Sequence, residues 1–271
     1  MRSLLAFLAG VIAIGAIVVA LPSLWLTERV VEPSGFRATA VKMGENSDVR
    51  DFMADTITTQ IANRAGSAAG TLARPIAVRY THSAAFTEDF VDVATQQHRW
   101  LFEPPPAGVD PEVMQLDLTG MVRRVASQAN PAFAGLIPGP VLVPVSHRDR
   151  ALEAGRYREP GRQVKVLAYG SIAVALLAGL LALLISGNRA AMLSWLGFGG
   201  VLSAVVSWAG GYYFAARAKD EVSGTEAGVR HVAEVTIDGL VDNLHQWALV
   251  VGGVGAVVLV VGLAIRSFDR G

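Results

Sequence analysis

The chain has 271 residues, 52% of them hydrophobic and only 17% charged, with a mean hydropathy of +0.42. That balance excludes an ordinary soluble domain, in which about a quarter of residues are charged, and equally excludes a disordered chain. Lys+Arg 23 against Asp+Glu 23 points to no nucleic-acid partner, and the absence of cysteine excludes a disulfide framework, a thiolate metal site and a cysteine nucleophile.

The apolar residues fall in four runs almost free of charge. Residues 1–26 contain the first, Leu4–Leu26. The others are Val166–Ser186 within 164–186, Ala190–Ala216 within 190–216, and Trp247–Ile265 within 247–265. At 1.5 Å per residue these runs reach roughly 28–40 Å, enough for a ~30 Å hydrocarbon core. They must be helical, because only a helix satisfies its own backbone in lipid. Val18-Val19-Ala20 followed by Leu21-Pro22 is a poor cleavage site, so the first run reads as an uncleaved signal anchor.

Residues 27–163 form a polar, charge-balanced region large enough for a domain of its own. Ser47 is the expected N-cap of a helix whose stripe is Val49, Phe52, Met53, Ile57 and Ile61, ending near Gly66. A helix over Ala68–Tyr80 is expected to bend or break at Pro75. A third starts near Ser83, carries Phe86, Phe90, Val93, Ala94 and Leu101 on one face, and stops at Glu103-Pro104-Pro105-Pro106. Val113–Leu118 alternates as a short strand does. Asp117 or Thr119 then caps a helix through Met121, Val122 and Val125. Leu142–Val145 is a second strand, confined to an edge by Pro144. From about Asp149 a polar helix is expected to run straight into the second span.

Residues 187–189 are a tight hairpin and 266–271 a short tail. In the 217–246 loop, Val232, Ala233, Thr236, Leu240, Leu244 and Trp247 recur at helical spacing from Ala227 onward. They predict a helix that extends the fourth span outward and lays its apolar face on the large domain. Arg2, Arg189, Arg266 and Arg270 lie in very short segments, whose charge sets orientation more than that of long domains. Both termini are therefore expected in the cytoplasm, with 27–163 and 217–246 outside.

Several pieces together carry a resemblance: Ser47-Asp48-Val49-Arg50-Asp51-Phe52-Met53-Ala54-Asp55, Ser83-Ala84-Ala85-Phe86 leading to His98, Leu116-Asp117-Leu118, Ser186-Gly187-Asn188-Arg189 and Val229-Arg230-His231-Val232. In this order they resemble a group of actinobacterial integral membrane proteins with one span, a large extracytoplasmic helical domain and three further spans. The resemblance implies the same orientation. It brings no catalytic, cofactor or metal residues.

His98 is the strongest single histidine, but Ala94, Thr95, Leu101 and Phe102 occupy the positions where a helical second ligand would stand. His82 and His147 can approach it only through the fold. The plainer reading is a half-buried histidine bonded to a backbone group or a carboxylate. No Gly-x-Ser-x-Gly elbow and no phosphate loop occurs. The basic cluster His147, Arg148, Arg150, Arg156, Arg158 and Arg162 alternates with Asp149, Glu153 and Glu159, as on a solvated, ion-paired helix; anionic headgroups are its other use.

The spans carry no charge near their centres; Lys165 stands at an edge, where it can snorkel. That argues against ion or proton transport. Gly199, Ser203, Ser207 and Gly211 recur every fourth residue, a small-residue stripe that lets helices pack closely, and Ser171, Ala175 and Gly179 repeat it. Gly197 to Gly200 and Gly252 to Gly255 also read as packing residues.

The expected fold class is mainly α: four transmembrane helices and a predominantly helical extracytoplasmic domain with at most a small β-ribbon. The expected function is a multi-pass protein of the cell membrane, non-enzymatic and without cofactor or metal. Its partners are the lipid bilayer and either an envelope protein or further copies of itself. One alternative is a permease-like subunit of an ABC-type complex, which shares this span order but needs more than the 187–189 hairpin to meet an ATPase. The other is an extracytoplasmic enzyme using His98.

Overall fold

The computed structural model describes residues 2–105, 108, 110–145, 153–223 and 227–268. It is mainly α, with one small two-stranded sheet. The chain divides into two compact units. One joins residues 1–28, 161–223 and 237–271; the other joins 29–160 with 224–236.

The first unit is a helix bundle. Helix α1, Arg2–Leu26, passes into a single π-turn at Thr27–Val31. The bundle also takes α8, Arg158–Ile185, from Gly161 onward, α9, Arg189–Val222, and α10, Ala227–Phe268, from Ile237 onward. Among the described residues, four helices are long and apolar enough to cross a membrane, which fits a multi-pass membrane protein. Their outward faces are aliphatic: Leu176, Leu177, Leu249, Val250 and Val257 are each more than 60% exposed, the signature of a surface meant for lipid.

Helix α9 is the most enclosed of the four, 39% of its apolar window being buried against 17–28% for the others. Small residues explain why. A Cβ added to Gly199 would stand 3.0 Å from Ile14 of α1, and one on Gly10 would stand 3.1 Å from the Met192 sulfur. On its other face, Gly197 and Gly200 meet Gly255 of α10 backbone to backbone, Ala204 meets Gly252, and Ser194 meets Gly262. The sequence of these contacts shows α10 running antiparallel to α9. Helix α8 contributes the buried Ala168, Gly179 and Ala182.

The second unit is built around α3, Ser47–Ala65, and α4, Ser67–Thr81, a hairpin turned at Gly66 with φ +93°. That conformation favours glycine. One turn on, Gly70 lets the helices close: its Cβ would lie 2.7 Å from that of Ala62. Val49, Met53, Ile57 and Ile61 of α3 join Ala73, Ala77 and Tyr80 of α4 in one core. Phe86 of α5, Ala84–Phe102, and Met121, Val122 and Val125 of α6, Thr119–Ala129, complete it. The short α7, Pro131–Gly135, follows. Strands β1, Met114–Asp117, and β2, Leu142–Val145, pair antiparallel, with Gln115 opposite Pro144. In a two-stranded ribbon both strands are edges, so the proline is tolerated.

Four local expectations are corrected. The N-cap of α3 is Asn46, not Ser47; its Oδ1 accepts from the N–H groups of Asp48 and Val49 at 2.8 and 3.3 Å. Of the bend or break expected at Pro75, the break is excluded: α4 is one helix through Pro75, which lies on the exposed side, where water can serve the carbonyl that proline leaves without a donor. Neither Asp117 nor Thr119 occupies the N-cap of α6, which is Leu118. Asp117 accepts from the Thr119 N–H at 2.9 Å, and the Thr119 hydroxyl accepts from Val141 at 2.8 Å, so both side chains brace the entry instead.

The fourth concerns the approach to α8. The helix begins at Arg158. Before it, residues 153–157 turn at Gly155, with φ +70°, and are strapped to the end of α5 by Gly155 N–H to Trp100 O at 2.8 Å and Tyr157 N–H to Leu101 O at 2.9 Å. A continuous helix cannot pass through that turn. Asp149, and His147, Arg148 and Arg150 of the basic cluster, lie outside the described residues; Arg156, Arg158 and Arg162 are exposed. The π-turn, α7 and, largest of the three, helix α2, Pro33–Glu45, were not expected. Helix α2 packs on α5 through Ala40, with Phe36, Phe90, Val91 and Ala94 around it.

Candidate functional site

His98 sits on α5 and is buried, with 4% of its surface exposed. Its ring lies between two others: Phe36 of α2, centroids 4.5 Å apart, and Phe102 one turn on, stacked at 4.6 Å. Its Nε2 is 2.9 Å from the carbonyl oxygen of Val30 in the π-turn and, as the protonated nitrogen, donates to it. The junction explains the need. Pro33 has no N–H to offer the Arg29 carbonyl four residues back, and the break between the π-turn and the new helix leaves the neighbouring carbonyls to take donors from elsewhere. His98 serves Val30, and the Thr39 hydroxyl reaches the carbonyl of Arg29 at 3.5 Å. A histidine so placed is a clamp between α2, α5 and the π-turn.

The other histidines do not converge on it. His82 closes α4 locally, Nδ1 to the Val78 carbonyl at 2.9 Å. His231 pairs with Asp48 at 3.4 Å on the surface, and His147 lies outside the described residues. Among the described residues, no group of three His, Asp or Glu side chains is arranged to hold a metal.

Tyr80 carries a strongly perturbed ionisation. Burial pushes its phenol far above the ordinary range, and the bond from its hydroxyl to Asp89 at 2.6 Å raises it further. Arg124 partly opposes this, its guanidinium 3.1 Å from the same carboxylate oxygen. A phenol held neutral at this position is a donor, not a nucleophile. It fixes α4 against α5 and α6.

Within the bundle, the small-residue stripe of α9 serves two neighbours. Gly199 and Ser203 face α1, and the Ser203 hydroxyl donates to the Ile17 carbonyl at 2.9 Å. Gly211 faces α10, where a Cβ would stand 2.9 Å from His245. Ser207, between them, is buried, and its hydroxyl has no hydrogen-bond partner in the protein.

His245 is a site residue the sequence reading did not find. It is 8% exposed, stacked flat on Trp208 at 4.2 Å, with Tyr212 at 5.0 Å and its Nε2 3.3 Å from the Trp208 carbonyl. Two residues before it, Asn243 accepts from the indole N–H of Trp25 at 3.0 Å. These contacts give one end of the bundle a polar, aromatic lock of α1, α9 and α10. The usable signal was Trp208 and Tyr212, spaced i, i+4 on one helix.

No protein-family model, curated protein or solved structure matches this chain.

Proposed function

We propose that the chain is a non-enzymatic, multi-pass protein of the cell membrane that anchors a helical domain outside the cytoplasm for contact with an envelope protein or with further copies of itself. The observation that carries this reading is the composition of the second unit. Residues 224–236 belong to the same compact body as 29–160, although α8 and α9 separate them in sequence. Val232 packs on the domain core, and His231 pairs with Asp48. Two spans between the segments return the chain to the side it left, as a shared folded body requires. Arg2, Arg189 and Arg266 then favour the opposite side as cytoplasmic. Engagement of His98 with Val30 supports a structural role for the residue that an enzyme reading would need. The three-residue link between α8 and α9 speaks against an ATPase-coupled permease, which needs a cytoplasmic docking segment.

The experiment is a pair of reporter fusions with a size measurement. Fusions after Gly108 are expected to be active only outside the cytoplasm and fusions at Asn188 only inside. The intact protein in mild detergent is expected to run as a discrete assembly larger than one chain. Reversed reporters, or a monomer that hydrolyses envelope substrates, would overturn the reading.

A further inference from the structure

The end of the bundle that carries the α8–α9 hairpin holds a groove of about 430 Å³, lined by α1, the hairpin and the start of α9. Its volume lies in the ~300–1,000 Å³ range of small-molecule sites. The walls are Phe7, Gly10 and Val11 on one side and Met192 and Trp195 on the other, with Asn188 among the few polar groups at its mouth. Phe7, Val11 and Trp195 are about half exposed, so the groove is open along the flank of the bundle, where a bilayer would lie.

Among the described residues, the charge around the groove is of one sign. Arg2 and Arg189 adjoin the lining residues Ser3 and Asn188, and both are exposed. Arg266 stands one turn beyond Gly262, which abuts Ala190 and Ser194, and so reaches the level of the hairpin. Its Nε is buried and has no hydrogen-bond partner in the protein. The described acidic side chains of this unit, Glu28, Asp220, Asp238 and Asp242, lie at the opposite end, where α1 and α9 finish and α10 enters the bundle.

We infer that the groove is a binding site for one anionic phospholipid, its acyl chain between α1 and α9 and its phosphate met by Arg2, Arg189 and Arg266. The chemistry of each part fits one end of such a molecule. The apolar walls match a hydrocarbon chain. A guanidinium with an unused N–H makes strong charge-assisted bonds to phosphate oxygens, and basic pockets between spans are where anionic headgroups bind. A zwitterionic lipid fills the groove equally well but returns a positive charge to three arginines.

Trp195 reports on the site. The full chain is reconstituted in phosphatidylcholine vesicles containing a small fraction of phosphatidylglycerol or phosphatidylcholine brominated on its acyl chains. The Trp195 signal is the emission difference between the natural chain and Trp195→Phe. Brominated phosphatidylglycerol is expected to quench it well beyond its share of the bilayer, and brominated phosphatidylcholine only in proportion to its share. Arg189→Gln should reduce the preference about fivefold, the scale of one surface arginine. Adding Arg266→Gln should remove the rest, whereas Arg217→Gln, at the far end of α9, should leave it intact. Equal quenching by the two lipids, or a preference that survives Arg189→Gln undiminished, would overturn the assignment. Arg189 is exposed, so its variant tests the site without risk to folding.

Discussion

The imidazole of His98 and the carbonyl of Val30 are joined across 68 residues of chain, Nε2 to oxygen at 2.9 Å. This one bond fixes where the π-turn ends relative to α2 and α5. Losing the donor leaves a carbonyl at a helix junction without its partner, which costs about 1–3 kcal/mol. His98→Leu should therefore lower the midpoint of domain unfolding, while His98→Gln, which keeps an N–H, should recover part of the loss. Chemical denaturation followed through Trp100 fluorescence measures both. A His98→Leu protein as stable as the original would show that the bond contributes nothing.

The Tyr80–Asp89 bond makes the second unit sensitive to alkali. The folded state holds the phenol protonated well above its ordinary pKa of 10.0, chiefly because Tyr80 is buried. A raised pKa means that the stabilisation is complete below the unfolded value and is lost as pH climbs above it. Unfolding should thus accelerate above about pH 10. Tyr80→Phe should lower stability at neutral pH through the lost bond, and should flatten the alkaline decline. If the two proteins lose stability in parallel above pH 10, Tyr80 is not the responsible group.

Two glycines two positions apart on α10 should respond in opposite ways. A Cβ on Gly255 would stand 2.8 Å from the Gly197 carbonyl and 2.8 Å from the Val201 nitrogen, so Gly255→Ala must push α9 and α10 apart. Overpacking of this kind costs about 1–3 kcal/mol. Gly253 has nothing within 4 Å of its Cβ position. Gly253→Ala should be neutral or stabilise by up to ~1 kcal/mol through helix propensity. Thermal unfolding in detergent distinguishes the two, and equal effects would mean the α9–α10 contact is not tight.

Val232 should matter to residues far from it in sequence. It packs on the core formed by α3, α4 and α6, so Val232→Asp puts a charge against an apolar surface. Limited proteolysis should then cut within 29–160 faster than in the natural chain. His231→Ala, which removes only an exposed pair with Asp48, should change the pattern little. Equal digestion of all three proteins would separate residues 227–236 from the domain.

Periodicity carried most of this architecture wherever the packing residues are large. Val49, Met53, Ile57 and Ile61 stand out in the sequence as a stripe and are all buried in the structure. Helix α2 escaped notice because its two fully buried positions are Ala40 and Gly44, too small to mark a hydropathy pattern, and Phe36 alone makes no stripe. The turn at Gly155 was hidden by its polar, helix-compatible neighbours, and only the backbone φ discloses it. In the extension of α10, Val232 joins the polar domain, whereas Leu240 and Leu244 fall in the helix bundle, a division that a single continuous stripe does not signal. His98 was visible as a residue to examine, but its bond to Val30 depends on a tertiary path. His245 was masked by apolar neighbours on its own helix, since its aromatic partners come from α9. The α9 stripe shows which residues permit close approach and not which helix approaches: Ser203 meets α1, Gly211 meets α10.

The interleaving of the second unit also sets an order of events during synthesis. Residues 29–160 leave the ribosome long before Val232 exists, and α8 and α9 must be made in between. At ~5–20 residues per second, that interval is roughly 4–14 seconds. For all of it the apolar surface that Val232 covers on the core of the second unit has no cover from this segment. A nascent chain stalled after α9 would display that apolar patch, and the final polar segment would act as a plug delivered only once the bundle is nearly complete. Completion of the second unit thus waits on the synthesis of α8 and α9, and residues 227–236 are its last piece.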